Sequence, residues 1–119
     1  RQQNISIILD IKYNLYLCNV NIVEISKVLS NDTRVNILKW LKEPEKNFPP
    51  HQDIDHFDDG VCVGNIQDKT GLSQSTISTY LNSMQNAKLV IPTRHGKWTY
   101  YRRNEKIIKA YINALKEEL

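Results

Sequence analysis

The sequence predicts a small, mostly α-helical domain that carries a two-stranded β-hairpin. Two observations predict it. Apolar side chains recur at three- and four-residue spacing over most of the chain, and a strand-like aromatic run follows a glycine-containing turn near residue 96. The chain has 119 residues, of which 40% are hydrophobic, so it fits one globular domain with a modest core.

Residues 63–84 carry the clearest pattern, which is typical of two helices joined by a tight turn. Gly71 supplies the turn. Ser73 can cap the second helix, because its hydroxyl can accept from a free amide of the first turn. This arrangement predicts a helix-turn-helix, whose second helix is called the recognition helix below. The side chains spaced to pack inward are Ile66, Leu72 and Ile77.

The recognition helix separates an apolar face from a polar one. Ile77, Leu81 and Met84 recur at i, i+4 and i+7 and predict the buried side. The other side carries uncharged hydroxyls and amides, which suit the edges of bases in the DNA major groove. A merely solvated helix is the alternative, but exposed faces more often use Glu and Lys, which form helix better. The predicted DNA-reading residues are Ser73, Gln74, Ser75, Thr76, Ser78, Thr79 and Asn82.

Charge is distributed unevenly along the chain, whose formal net charge is +3. From Lys69 to Asn104 there are six basic residues and no acidic ones. Residues 43–60 hold six acidic residues and a single lysine. Because attraction to phosphates depends on local charge, the basic segment around the recognition helix favours a nucleic-acid partner.

The amino-terminal part divides into a leading segment and two helices. Residues 1–21 are predicted to be a dimerisation or packing segment, since they are too apolar to lie free in water. Their spacing favours a helix, although part of it also fits a strand. Residues 22–119 are predicted to form the helix-turn-helix domain. Its first helix ends near Ser30, and its second runs from a cap at Asn31 or Asp32 to about Leu41.

Residues 43–60 are predicted to form an acidic loop inserted into this domain. The segment is predicted to contain no regular helix, because it carries three prolines, Pro44, Pro49 and Pro50. The segment is long for a connection in a compact domain, so we expect it to be either mobile or functional. Val61 is then expected to begin the first helix of the helix-turn-helix.

A basic hairpin follows the recognition helix, which is expected to end near Lys88. Pro92 places the first strand at a sheet edge, and Gly96 supplies the positive φ of a tight turn. Residues 98–102 alternate as the return strand. The basic tip predicts a two-stranded wing that contacts DNA phosphates, with a simple exposed hairpin as the alternative. The predicted wing contacts are Arg94, His95 and Lys97.

The last helix is predicted from a cap at Asn104 to Leu119. It carries a broad apolar stripe that can pack either in the core or against a second subunit. A homodimer joined through the terminal helices would present two recognition helices to half-sites about one DNA turn apart. The stripe consists of Ile107, Ile108, Tyr111, Ile112 and Leu115.

Other function classes find little support in the sequence. It has no glycine-rich phosphate loop and no recognisable nucleophile–histidine–carboxylate arrangement, so an enzyme is not expected. Its apolar runs are too short to cross a bilayer, and nothing at its start resembles a cleaved signal, so we expect a cytoplasmic protein without a membrane partner. The competing hypothesis is a winged-helix protein-interaction module without a DNA site.

Three motifs resemble the ArsR/SmtB family of winged helix-turn-helix repressors. They are residues 29–38 (LSNDTRVNIL), 71–78 (GLSQSTIS) and 96–101 (GKWTYY), in the family's order and spacing. The resemblance covers about residues 22–119. It implies a homodimer that occupies a partly palindromic promoter operator on double-stranded DNA. It also implies release by a chemical signal, usually a metal or metalloid ion.

The family's sensing sites are only partly present. Members that sense soft metals often carry Cys-Val-Cys where this chain has Cys62-Val63-Gly64. Cys18 could join Cys62 in a metal or redox site, although two unrelated thiols is the alternative. The last helix has no histidine for a zinc site of the family type. The effector is therefore left open between a metal, a metalloid, a redox signal and none.

Overall fold

The computed structural model describes residues 20–51 and 53–119. Predictions that concern residues 1–19, including a helix there and a role for Cys18, lie outside these ranges. The elements that the structure describes are α1 (Ile22–Val28), α2 (Asp32–Lys42), α3 (Pro44–Asn47), β1 (Val61–Cys62), α4 (Val63–Thr70), α5 (Gln74–Asn86), β2 (Val90–His95), β3 (Trp98–Arg103) and α6 (Glu105–Glu118).

Side-chain caps fix where the main helices begin. Asn21, Asn31, Ser73 and Asn104 each accept a hydrogen bond from the backbone N–H three residues later. Such a cap satisfies one of the amides that a first turn leaves free, and losing it costs about 1 kcal/mol. The predicted caps at Asn31, Ser73 and Asn104 are confirmed.

The hydrophobic core lies between the helices and one face of the sheet. Ile37 of α2, Ile66 of α4 and Ile77 of α5 are completely buried. Leu81 and Met84 continue the buried side of α5, as their spacing predicted. Each such side chain contributes roughly 1.5–3 kcal/mol by leaving water, so this apolar side fixes which face of α5 points outward.

Two parts of the acidic segment differ from the prediction. Pro44 begins the short helix α3 and does not prevent it. The backbone N–H that proline lacks would have no acceptor within the helix at this first position. Val61 does not begin a helix either. With Cys62 it forms strand β1, which pairs with Tyr101 and Tyr100 of β3.

The predicted two-stranded wing is therefore part of a three-stranded antiparallel sheet. The strand order is β1-β3-β2, so β2 lies at an edge, as Pro92 predicted. β2 and β3 pair from Val90 with Arg103 to His95 with Trp98. The turn between them contains Gly96 with φ +60°, also as predicted.

Helix α5 ends at Asn86, two residues before the predicted end. The N–H of Leu89 donates to the Met84 carbonyl at 2.9 Å, and the N–H of Lys88 donates to the Gln85 carbonyl at 2.9 Å. These two bonds define a Schellman motif, which closes a helix through a residue in the left-handed region. That residue here is Lys88, with φ +63°.

Candidate nucleic-acid interface

The turn between α4 and α5 holds the recognition helix, α5, against the core. Gly71 has φ +71° and donates its N–H to the Gln67 carbonyl at 2.9 Å, which closes α4. Leu72 is half-buried against the core, and Ser73 then caps α5. Since φ near +70° suits glycine best, Gly71 allows the chain to change direction within these three residues.

The side of α5 opposite the core is polar and carries no charge. The structure places six of the seven predicted reading residues on the exposed surface, and Thr76 is half-buried. Short side chains leave the helix backbone accessible, so a major groove can receive this face closely. The six exposed residues are Ser73, Gln74, Ser75, Ser78, Thr79 and Asn82.

Hydrogen bonds within the helix divide these residues into two groups. Ser73 Oγ accepts from the Thr76 amide and donates to Thr76 Oγ1 at 2.9 Å. Thr79 Oγ1 donates to the Ser75 carbonyl at 2.9 Å. In the described part of the chain, the side chains of Gln74, Ser78 and Asn82 form no such bonds. These three groups can therefore bond to bases without first breaking an internal contact.

The tip of the wing presents exposed cations. Arg94, His95 and Lys97 are all exposed. Arg94 Nε donates to the Gly96 carbonyl at 3.1 Å, and Lys97 Nζ lies 5.1 Å from the centre of the Trp98 ring. Both contacts leave most of each cation's donors directed to solvent, where they can bond to phosphate.

The acidic segment contacts the wing, a feature that the sequence did not indicate. Asp59 Oδ2 lies 2.6 Å from His95 Nε2, so the predicted DNA contact at His95 is already engaged within the subunit. Asn65 Nδ2 of α4 donates to the Pro49 carbonyl at 3.2 Å at the other end of the segment. The acidic segment therefore contacts α4 of the helix-turn-helix at one end and the wing at the other, and it is not simply solvated.

His51 anchors this segment on the outer face of the sheet. Its ring lies edge-on to Trp98, with ring centres 4.8 Å apart, and its Nδ1 lies 3.0 Å from the Tyr100 hydroxyl. The Asp53 amide donates to the same Nδ1 at 3.2 Å, so this nitrogen is an acceptor and Tyr100 must donate. Burial, followed by the nearby Cys62 thiol and Asp53, raises the pKa of Tyr100, which keeps the donating proton in place.

Gly60 joins the acidic segment to β1 in a position that excludes other residues. It is buried with φ +95°, and a Cβ there would collide with the Tyr101 carbonyl group. Glycine thus allows the backbone of the segment to lie directly on β3.

The structure offers no metal centre within residues 20–51 and 53–119. No three His, Cys, Asp or Glu side chains in those ranges lie in a group that could hold an ion. Cys62 is a free thiol, 2% exposed, and its partner across the sheet is Tyr100. Because Cys18 lies outside the described ranges, its pairing with Cys62 stays a prediction.

Sequence comparison finds relatives among transcriptional regulators, although no family model matches the chain. It is 46% identical over 97 residues to the uncharacterized HTH-type transcriptional regulator YbzH of Bacillus subtilis, which covers 82% of this chain and 97% of that protein. It is 31% identical over 83 residues to the putative arsenical resistance operon repressor ArsR2 of Halobacterium salinarum, covering 70% of this chain and 59% of that protein.

Structural comparison finds the same fold in solved proteins. HlyU from Vibrio cholerae matches with a TM-score of 0.54 and 21% identity over 79% of this chain and 88% of that one. NolR from Sinorhizobium fredii matches with a TM-score of 0.54 and 25% identity over 80% of each chain. Among the helices that the structure describes, none has the length and hydrophobicity to cross a bilayer.

Proposed function

Because the chain belongs to the ArsR/SmtB family of helix-turn-helix transcriptional regulators, a family without enzymatic activity, we propose that it is a homodimeric repressor that binds a partly palindromic promoter operator. One observation carries the proposal: the exposed face of α5 is uncharged, and the strand β2 that follows α5 in the chain leads to an exposed basic turn. Neutral donors and acceptors can read base edges, and exposed cations can hold the phosphate backbone.

Helix α5 is proposed to lie in the major groove and to supply specificity. The amides of Gln74 and Asn82 can each bond to adenine through both its N7 and its N6 amino group. Ser78 lies between them on the exposed face and can donate to or accept from either base of a pair. Ser73, Ser75, Thr76 and Thr79 complete the proposed reading surface, with part of their hydrogen bonding used within the helix.

The wing is proposed to fix the protein on the backbone. Arg94 and Lys97 would meet phosphates, which gives affinity without sequence preference. His95 would add a third contact only when it leaves Asp59. Binding should therefore weaken steeply with salt, as it does whenever bound cations release counterions from DNA.

The homodimer is proposed to form through α1, α6 and residues 1–21, with residues 22–119 as the DNA-binding domain. Val23 of α1 and Ile112 of α6 are 62% and 58% exposed, so both can offer apolar area to a partner. The two helices are held together by a hydrogen bond of 2.8 Å between the Ser26 and Tyr111 hydroxyls. They can therefore present one continuous surface to a second subunit.

Release by a chemical signal is the last part of the proposal. The archaeal relative is named as a putative arsenical resistance operon repressor, which makes arsenite the first compound to test. Cys62, with Cys18, is the candidate site for a metalloid or redox signal. Loss of DNA binding on adding arsenite, zinc, copper or peroxide would identify the signal.

Fluorescence anisotropy on DNA tests the proposal. Purified protein is titrated into labelled duplex from the promoter of its own gene and into a scrambled duplex of the same composition, at physiological salt. We expect nanomolar binding to the promoter and at least hundredfold weaker binding to the scrambled duplex. A folded protein that binds neither duplex, even at low salt, would contradict the proposal and favour the protein-interaction module.

A further inference from the structure

Tyr80 joins the recognition helix to the corner between α1 and α2. It lies about 60° around the helix axis from the buried Ile77, on the opposite flank from Ser78. It is half-buried, between the exposed Thr79 and the buried Leu81. The position makes Tyr80 a lateral support for α5, separate from the apolar side chains beneath it.

Two residues of the corner hold the Tyr80 side chain. Asn31 Nδ2 donates to the Tyr80 hydroxyl at 3.4 Å, a long hydrogen bond. The guanidinium carbon of Arg34 lies 5.0 Å from the centre of the Tyr80 ring, within the range of a cation–π contact. The phenol is thus contacted at both its polar end and its face.

Arg34 is itself fixed by the backbone of the corner. Its Nε donates to the Val28 carbonyl at 2.6 Å, and its Nη2 reaches the Lys27 carbonyl at 3.5 Å. Both carbonyls lie at the end of α1, where a cation is favourable. That of Lys27 also accepts from the Ser30 hydroxyl at 2.6 Å, so the bond to the Val28 carbonyl is the main one that fixes Arg34. The Arg34 amide also donates to the Asn31 cap at 3.0 Å.

We propose that Arg34 is a positioning residue for sequence recognition, acting through Tyr80 on the rotation of α5 about its own axis. The inference rests on the proposed function, because it assigns a role within the same DNA interface. A rotation of about 20° would move side-chain ends on a helix of this radius by about 2 Å. Base contacts need donor–acceptor distances near 3 Å, so such a shift would remove them and leave phosphate attraction intact.

Arg34→Met tests the role, because it keeps a long apolar stem and removes both the hydrogen bonds and the charge. Binding to the operator and to the scrambled duplex is measured over a range of salt concentrations. We expect operator affinity to fall about tenfold, scrambled-duplex affinity to stay within about twofold, and the salt slope of scrambled binding to be unchanged. Tyr80→Met should give the same loss, and the double variant should lose little more.

Arg103→Met is the matched control. Arg103 also donates to a helix carbonyl, that of Leu38 at 3.1 Å, and its other bonds go to Glu105. None of these bonds reaches Tyr80, so the Arg103→Met variant should keep its preference for the operator over the scrambled duplex. Circular dichroism establishes that each variant is folded. If Arg34→Met unfolds, Arg34→Lys replaces it, because lysine keeps a cation near the Tyr80 ring. Arg34→Lys should lose part of the preference for the operator over the scrambled duplex.

The inference is overturned if folded Arg34→Met binds both duplexes as well as the unsubstituted protein does. It is also overturned if both affinities fall alike and the salt slope decreases, because Arg34 would then contact phosphate directly. An equal loss of preference in Arg103→Met would indicate a general structural effect and would contradict it as well. Failure of the proposed function looks different, since the unsubstituted protein would then show no preference between the duplexes.

Discussion

Lys88 occupies a backbone conformation that costs most residues energy. Its φ of +63° puts it in the left-handed region, where a Cβ crowds the following carbonyl. Lys88 adopts this conformation because the Schellman motif at the end of α5 requires it. The motif turns the chain so that the next residue, Leu89, is buried in the core. Glycine usually fills this position.

Lys88→Gly is therefore expected to stabilise the protein by about 1 kcal/mol, since removing the Cβ relieves the strain. Urea denaturation followed by circular dichroism measures the change. Lys88→Ala keeps the Cβ and serves as the control, with no comparable gain. A lower free energy of unfolding for the glycine variant would show that Lys88 makes a contact worth more than the strain.

At the residue scale, local interactions could be predicted from the sequence and distant ones could not. The Ser73 cap and the Gly71 turn depend on neighbours within three or four residues, so the sequence pattern contains them. The contact of Asp59 with His95 spans 36 positions, and that of Asn31 with Tyr80 spans 49. Such contacts depend on how elements pack, which no local spacing reveals.

At the scale of elements, the acidic segment and the wing form one unit. The segment brings negative charge to a surface that is proposed to face DNA, and Asp59 occupies the imidazole of His95. A carboxylate on a cationic wing competes with phosphate for the same donor. The segment should therefore limit the affinity of the wing for any duplex.

Asp59→Asn tests this competition. We expect the variant to bind operator and scrambled DNA several-fold more tightly, because a repulsive charge is lost and His95 is released. Asp55→Asn removes the same charge from an exposed position in the same segment and is the matched control. Equal gains from both variants would indicate a general charge effect, and no gain from Asp59→Asn would exclude the competition.

The elements missed by the sequence prediction are short ones that depend on tertiary structure. Strand β1 has two residues and exists because β3 offers it an edge. Helix α3 has four residues and begins at Pro44, the residue type that usually excludes helix. The longer helices have repeated apolar spacing, so α2, α5 and α6 were predicted close to their observed limits.

At the scale of the whole molecule, the exposed apolar side chains of α1 and α6 support the proposed homodimer. Of the α6 stripe, Ile107 is buried within the subunit, and Ala110 and Ala114 continue the buried side of the helix. Ile112 lies on the outward side of the same helix. Spacing alone could not assign these two sides, because both are apolar.

Ile112→Glu is expected to weaken the dimer at least tenfold and to leave the monomer folded, since a charge would be buried in the interface but exposed in the monomer. Sedimentation equilibrium measures the association constant. Lys106→Glu changes another exposed residue of α6 and should have a much smaller effect. An unchanged dimer in Ile112→Glu would place the interface elsewhere.

If α5 reads bases and the wing holds phosphates, substitutions in the two elements should affect DNA binding differently, and one anisotropy experiment compares them. Ser78→Ala/Asn82→Ala and Arg94→Ala/Lys97→Ala are titrated with operator and scrambled duplex over a range of salt concentrations. The α5 pair should lose operator affinity at least tenfold and keep its scrambled-duplex affinity. The wing pair should lose both alike, with a salt slope smaller by about four for the proposed dimer, because two cations are lost from each subunit. If the two pairs behave identically, the division of roles between helix and wing is wrong.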